Sequence, residues 1–359
     1  MRIFETKPTL RWLAPVAALA LVGGAGLVAT ATADDKLPSR TAEQLLVDLQ
    51  QARVDGLSGT VVQQANLGIP SIPGGGGSNG AKLTSLISGT HTLHVWYSGP
   101  DKARVALAGT FDESDVITNG SDLWTWSHAD KSATHTTLPK DAGTGARQPS
   151  ADLPKTPQEA AAWAVKALGP TTDISTDSAV KVAGEQAYEL VLRPKDDQSL
   201  VSEVRIAIDG DTHVPLRVQV FNDADLVFQV GYTTINFNRP DDANFAFNPP
   251  ADTKLTETAT PDPKAKPDRR TAKDHADHAD QVKIVGSGWT AVAVAKIGTD
   301  TTGSSAELTG FLSQLKKESG SWGSGRVLRG TAFSAVVTDD GRIAVGSVEP
   351  ELLYQALEK

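Results

Sequence analysis

Apolar and polar residues alternate along much of this chain with the two-residue period of strands that are buried on one side. The clearest runs lie between residues 188 and 232. Their apolar positions are Tyr188, Leu190 and Leu192; Val204, Ile206 and Ile208; Leu216, Val218 and Val220; and Leu226, Phe228, Val230 and Tyr232. Polar residues such as Glu189, Arg205 and Gln229 stand between them. The pattern predicts an antiparallel sheet with one apolar face and one hydrated face.

A second group of short strands is predicted between residues 86 and 138. The apolar positions of its first two runs are Leu93, Val95 and Tyr97, then Val105 and Leu107. Asn119–Gly120 is a strong hairpin signal, and Trp124 and Trp126 follow it at the spacing that puts two side chains on one face of a strand. Together the two groups predict an antiparallel meander of nine or ten strands.

Few helices are predicted to cover this sheet. Residues 41–54 predict an amphipathic helix with an apolar stripe of Leu45, Leu46 and Leu49, and Thr41 can cap its start. A capping box at Thr156, followed by proline, predicts a second helix. Two helices leave much of the apolar face uncovered, so either the sheet folds onto itself as a sandwich or it keeps a cavity for a ligand.

The remaining segments divide the chain. Residues 66–80 are rich in glycine and proline, which predicts either a surface insertion or a lid whose Ile69 and Ile72 visit an apolar opening. Residues 254–281 are charged, rich in proline and without an apolar period, as expected of a linker. Residues 282–359 predict a small α+β domain, with a helix over 306–317, a hairpin through Asp339–Gly341 and a final helix after Pro350. The two arms of that hairpin are predicted as continuous strands over Val327–Thr338 and Arg342–Val348. Residues 34–253 form the predicted first domain.

The N-terminus predicts export. Basic residues precede an apolar run, and Ala31–Ala33 offers a small-residue cleavage site, so residues 1–33 are a signal peptide or, if uncleaved, a membrane anchor. The chain has 34 basic and 43 acidic residues, and this net charge of −9 argues against nucleic acid as the main partner. No cysteine is present, which excludes disulfides, thiolate chemistry and a lipidated cysteine.

No catalytic signature stands out, and neither an enzyme activity, a metal nor a cofactor is predicted. The glycines of Gly286–Trp289 imitate the start of a dinucleotide-binding motif, but they lie between two predicted strands and open no helix.

The apolar face of the sheet is therefore the candidate functional site. Alternation assigns each residue a face but not a depth, so every candidate is equally consistent with ordinary core packing. The candidate lining residues are Val95, Tyr97, Val105, Leu107, Trp124, Trp126, Leu190, Leu192, Val218, Val220 and Phe228.

Residues 41–253 resemble the LolA-like lipoprotein-carrier superfamily. The most specific part is the run Asn-Gly-x-x-Leu-Trp-x-Trp ending at Trp126, and "AYELVLRP", "VRIAIDGDTHVPLRVQVF" and "FAFNPP" follow in the same order. The resemblance implies an α+β fold, a curved and unclosed antiparallel half-barrel with covering helices. It also implies an exported cell-envelope protein that carries the acyl chains of a lipid or lipoprotein.

Two details refine what the resemblance implies. The small domain after the linker is similar to the layout of the RseB/MucB branch, whose members regulate sigma factors, so the alternative function is a lipid-sensing regulator that binds a membrane partner such as an anti-sigma factor. Gly99 precedes Pro100 where the lipoprotein carriers have a lid-locking arginine. This departure favours a more general lipid carrier or sensor.

Overall fold

The computed structural model describes residues 37–70, 83–110, 112–138, 169–259, 282–296 and 306–359, and these form two β-sheets. Several predicted features lie outside the described residues: the N-terminal signal or anchor, Ile72 of the loop, the helix after Thr156, and the linker beyond residue 259.

The first sheet contains twelve strands in the order β12-β6-β5-β4-β3-β2-β1-β11-β10-β9-β8-β7. The strands are β1 (Leu57–Ala65), β2 (Gly89–Tyr97), β3 (Lys102–Ala108), β4 (Glu113–Asn119), β5 (Asp122–Ser127), β6 (Ser132–Thr137), β7 (Thr172–Val182), β8 (Glu185–Pro194), β9 (Glu203–Asp209), β10 (Pro215–Asn222), β11 (Asp225–Asn236) and β12 (Lys254–Ala259). Its two edge strands, β12 and β7, are not paired with each other. The predicted α+β class with a large unclosed antiparallel sheet is confirmed.

The edge strand β12 corrects one predicted boundary. The linker was expected to begin at residue 254, but Lys254–Ala259 pairs in parallel with β6, from Lys254 opposite Ser132 to Ala259 opposite Thr137. A hydrogen bond between Glu257 of this strand and His135 of β6 helps to hold it there. The composition of the segment is that of a linker, whereas its structure is that of a sheet edge.

Helix α1 (Ala42–Gln51) covers one face of the first sheet, which we call the helix-side face; the other is the far face. The Thr41 hydroxyl accepts a hydrogen bond from the Gln44 backbone, and the Gln44 side chain accepts one from the Thr41 backbone, a complete capping box. Leu45 and Leu46 are buried in one cluster with residues of the central strands. The predicted helix and its apolar stripe are confirmed.

The second sheet contains six strands in the order β13-β14-β18-β17-β16-β15. Its elements are β13 (Lys283–Val285), β14 (Val292–Lys296), α2 (Ala306–Gln314), β15 (Lys316–Gly320), β16 (Gly323–Arg329), β17 (Ser334–Thr338), β18 (Arg342–Gly346) and α3 (Pro350–Leu357). Helix α3 packs on this sheet, with Leu353 fully buried beside Val336 and Ala344.

The predicted hairpin through Asp339–Gly341 joins β17 to β18, as expected. Two other predictions for this region were wrong. Residues 316 and 317 were expected to end a helix, but they open β15, and the continuous run from Val327 to Thr338 is divided into β16 and β17. A turn at residues 330–333 interrupts that run, and it contacts the first sheet.

No helix within the described part of the chain is long and apolar enough to cross a membrane.

Candidate functional site

The register of the first sheet assigns the predicted lining residues to faces, because residues directly opposite each other in an antiparallel pair share a face. Val95 lies opposite Val105, and Val105 lies opposite Val116. Tyr97 lies opposite Leu57 of β1. Leu57 and Val95 belong to the cluster that contains α1, so this set lies on the helix-side face.

The other half of the sheet continues the same face. Leu190 lies opposite Ile206, which lies opposite Val218, and Val218 lies opposite Val230. Val220 and Phe228 form the neighbouring pair. These residues pack in the same cluster as Val95 and α1. Nine of the eleven predicted lining residues therefore share the helix-side face: Val95, Tyr97, Val105, Leu107, Leu190, Leu192, Val218, Val220 and Phe228.

Trp124 and Trp126 do not belong to this set, and their assignment to the same wall was wrong. Thr125 lies opposite Val116, so Thr125 is the residue of β5 that points to the helix-side face. The tryptophans on either side of it point to the far face. The spacing correctly predicts that the two indoles share a face, but it does not determine which one.

On the far face both tryptophans pack against the segment that follows β11. The ring of Phe247 lies 5.3 Å from the Trp124 ring and 5.9 Å from the Trp126 ring. Phe245, in the 3-10 helix Asp242–Phe245, is buried nearby, and the Asn119 side chain donates a hydrogen bond to its carbonyl. The tryptophans thus hold the segment that leads from β11 to β12.

Depth divides the nine helix-side residues into two groups. Leu107 and Leu190 are fully buried, and Val95, Leu192 and Val218 are nearly so, which makes these five part of the core. Tyr97, Val105, Val220 and Phe228 are half-buried, so part of each side chain is accessible. A ligand on this face would contact the half-buried group.

Further half-buried apolar residues extend the accessible part of the helix-side face. Val116 and Leu123 continue it beyond β3, and Ile174 and Tyr188 continue it at β7 and β8. Burial raises the pKa of Tyr232 to about 12, as expected for a phenol in apolar surroundings. Alternation indicates these positions too, but their runs are short and mixed with polar residues.

Charged side chains occupy the far face of the same strands. Arg217 donates to Glu189 over 2.9 Å with both side chains buried, and Arg205 donates to the other Glu189 oxygen over 2.9 Å. Asp177 accepts a further bond from Arg205. Removing one member of this network would leave a buried charge without its partner, so the three-residue core of Arg217, Glu189 and Arg205 must stay intact for the far face to remain stable.

Near the tryptophans the far face carries Asp115 and His135, whose pKa values are both raised. Burial raises the pKa of the Asp115 carboxyl to about 6, although Arg104 donates to it over 2.7 Å and stacks on Trp96. His135 stacks on Trp124 at 4.2 Å and lies between Asp122 and Glu257, at 2.9 Å and 2.8 Å from its two ring nitrogens. The hydrogen bond with Asp122 is the main cause that raises the pKa of His135.

The predicted lid is described only at its base. Ile69 is half-buried at the start of the glycine-rich loop. Within the described residues, no group of three His, Cys, Asp or Glu side chains is arranged so that it could hold a metal ion.

No protein-family model matches the chain, and no curated protein matches it. Among solved structures it is similar to the MucA/MucB complex of Pseudomonas aeruginosa, with 15% identity over 88% of this chain and 96% of that one, at a TM-score of 0.44. It is similar to a LolA superfamily protein from Nitrosomonas europaea, with 12% identity over 58% of this chain and 99% of that one, at a TM-score of 0.23. An uncharacterized conserved protein from Thermus thermophilus matches with 10% identity over 60% of this chain and 99% of that one, at a TM-score of 0.35.

Proposed function

We propose that this protein is exported to the cell envelope and binds the acyl chains of a lipid or lipoprotein on the helix-side face of its first sheet. The protein would act as a carrier, keeping acyl chains out of water while the polar headgroup stays in solvent. The N-terminal segment of residues 1–33 would direct the export.

The observation that supports this proposal is the continuity of the half-buried apolar side chains. They begin at Ile174 on β7 and continue through Val220 on β10 and Phe228 on β11. On the other half of the sheet they continue through Tyr97 on β2 and Val105 on β3 to Leu123 on β5. Sheet faces of this composition are usually covered or used for binding, since exposed apolar area is costly. Among the described residues, the far face carries charged pairs on β8–β10, aromatic packing on β4–β6 and a small apolar cluster that includes Ala187, Ala207 and Leu216.

The energetics suit reversible binding. Each methylene removed from water contributes about 0.8 kcal/mol, so ten buried methylenes contribute about 8 kcal/mol before the cost of association is subtracted. Binding in the micromolar range requires a net value of about 8 kcal/mol, so the acyl chain must bury more than ten methylenes to offset the cost of association as well. No covalent step is needed.

The proposal is tested by the content of the protein as purified from its native host. Native mass spectrometry of the full-length exported chain, followed by organic extraction, should release a lipid in a fixed ratio to protein. A protein that carries no lipid in repeated preparations and binds no fluorescent fatty-acid probe would contradict the proposal.

Tyr97 and Trp96 provide a matched pair of variants for locating the site. They are adjacent, both are half-buried aromatics, and they point to opposite faces of β2. Tyr97→Ala should weaken binding of a fluorescent fatty-acid probe about tenfold, since an aromatic contact of about 1.4 kcal/mol is removed. Trp96→Ala should leave the affinity unchanged. Equal effects of the two substitutions would contradict a site on the helix-side face.

A second candidate function is a lipid-sensing regulator that binds a membrane partner, such as an anti-sigma factor. The docking of the second sheet onto the first favours it, because such contacts can transmit occupancy of the helix-side face. The full-length chain of a regulator should capture a membrane protein, and the lipid probe should change the amount captured. A simple carrier should show neither effect.

A further inference from the structure

Trp289 is an apolar contact between the C-terminal unit, residues 282–359, and the first sheet. It lies in the 3-10 helix Gly288–Thr290 and packs against the cluster that contains α1, Val95 and Val218. Its indole N–H donates to the hydroxyl of Thr172 on β7 over 2.8 Å. Thr172 points to the helix-side face, since β7 and β8 are in register from Thr172 opposite Pro194 to Ile174 opposite Leu192.

The turn between β16 and β17 supplies a second contact. Ala332 is buried in the same cluster. Thr331 uses three backbone and side-chain groups: its N–H donates to the Leu67 carbonyl over 3.0 Å, its hydroxyl to the Asn66 carbonyl over 2.6 Å, and its carbonyl accepts from Asn222 over 2.7 Å. These bonds hold the turn at the ends of β1 and β10.

A main-chain contact completes the interface. The Leu200 N–H donates to the Ser347 carbonyl over 2.8 Å, and Ser199 forms an isolated bridge with Val348. The C-terminal unit therefore contacts the start of β7, the ends of β1 and β10, and the loop between β8 and β9, and it places Trp289 and Ala332 against the apolar cluster on the helix-side face.

We propose that Trp289 is part of the acyl-chain site and that docking of the C-terminal unit is coupled to occupancy of that site. This inference rests on the proposed function. The coupling is positive: Trp289 and Ala332 complete the apolar wall when the unit is docked, so a bound chain gains contacts that it lacks in the undocked state. By linkage, a ligand that prefers the docked state must also stabilise docking.

Hydrogen bonding supports a functional position for Trp289. The indole N–H is satisfied by Thr172, which is buried, so the ring is held in one orientation at the edge of the apolar cluster. The ring itself is only half-buried, which leaves part of its apolar surface available. An indole that served only to join the two units would gain by being fully covered.

The first test measures affinity for a fluorescent fatty acid in the full-length protein. Trp289→Ala should weaken binding about tenfold, within the usual range of coupling between sites. Trp289→Phe keeps an aromatic ring without the N–H and should weaken it less. The control Trp96→Ala should bind as the wild type does. Circular dichroism verifies folding, and if Trp289→Ala fails to fold, Trp289→Phe provides the measurement.

The second test is the reciprocal effect, measured by hydrogen exchange in the wild-type protein. The same fatty acid should slow exchange of the Leu200 and Thr331 amides, whose acceptors lie across the interface. If the wild type binds the probe but the Trp289 variants bind equally well, or the two amides are unaffected, the inference is overturned while the proposed function stands. If the wild type binds no probe, the proposed function fails and the inference falls with it.

Discussion

At the scale of single residues, Trp124 and Trp126 show how a pair of aromatic side chains can join distant parts of a chain. Each contacts Phe247, which comes about 120 positions later in the sequence, and Trp124 is stacked by His135 on the neighbouring strand. A tryptophan buries a large apolar area at little conformational cost. The pair therefore stabilises the crossing segment between β11 and β12, on the face opposite the proposed acyl-chain site.

Replacing these tryptophans should affect stability and leave lipid binding intact. We expect Trp124→Ala and Trp126→Ala each to lower the free energy of unfolding by about 2 kcal/mol, less than for a fully buried tryptophan because both are half-buried. Denaturant titration measures the loss. Phe247→Ala, which removes the shared partner, should cost a similar amount. Variants that stay folded but lose their lipid would instead return these indoles to the binding wall.

At the scale of elements, alternation predicts which residues share a strand face, and bulges limit that prediction. Leu216 has the same parity as Val218 and Val220, yet it packs with Ala187 and Ala207 on the far face. The pairing of β10 with β9 shifts between Pro215 and Arg217, and this extra residue reverses the orientation of Leu216. Nothing in the residue types marks this shift, because an apolar residue suits either cluster.

The residues of a single strand also do not determine which side of the sheet its apolar side chains will face. On β5 the apolar tryptophans point to the far face, and Leu123 and Thr125 point to the helix-side face. The register of β5 with β4 determines these orientations, and that register depends on the whole sheet and not on β5 alone. The capping box of α1 was predictable, by contrast, since its cause lies within four residues.

The edge strand β12 should dock in a pH-dependent way. A neutral imidazole has one N–H and can donate to only one of Asp122 and Glu257, whereas a protonated His135 donates to both. Because the pKa of His135 is raised in the folded state, this contribution is complete below the unfolded value of about 6.5 and is lost as the pH rises through the folded-state pKa.

Hydrogen exchange of residues 254–259 measures this docking. After correction for intrinsic rates, protection should be several-fold higher at pH 5.5 than at pH 8. Glu257→Gln keeps an acceptor without the charge and should reduce the pH effect. The ion pair between Lys131 and Asp252, which lies beside the start of β12, stays charged throughout this range. A pH effect that survives Glu257→Gln unchanged would exclude this role of His135.

At the scale of the whole molecule, segments from the later part of the chain lie at both edges of the first sheet. Strand β12 forms one edge by pairing with β6, and Trp289 bonds to the edge strand β7 at the other. Composition and alternation predict a large sheet followed by a smaller one, as observed, but they do not predict the docking between the two sheets. Its contacts come from a turn and a glycine-rich segment, which have no periodic pattern, and from partners more than one hundred residues away.

The glycines of Gly286–Trp289 provide a test of that docking. Both Gly286 and Gly288 have positive φ, at 85° and 63°, so alanine at either position pays a similar backbone cost of about 1 kcal/mol. A Cβ at Gly288 would lie 2.7 Å from Thr171 in the first domain, whereas a Cβ at Gly286 would meet nothing closer than 3.5 Å. Gly286→Ala therefore reports the effect of backbone strain alone, and Gly288→Ala adds the steric clash between the two units.

We expect Gly288→Ala to weaken docking while both sheets stay folded, because the clash can be relieved by separating the units. Small-angle X-ray scattering should then give a larger radius of gyration than for Gly286→Ala, and circular dichroism should be the same for the two variants. Since the docked unit carries Trp289, Gly288→Ala should also lose fatty-acid affinity. If both variants have the wild-type radius of gyration, the turn at Thr331 holds the units together without the Trp289 segment, and the contact at Gly288 does not control docking.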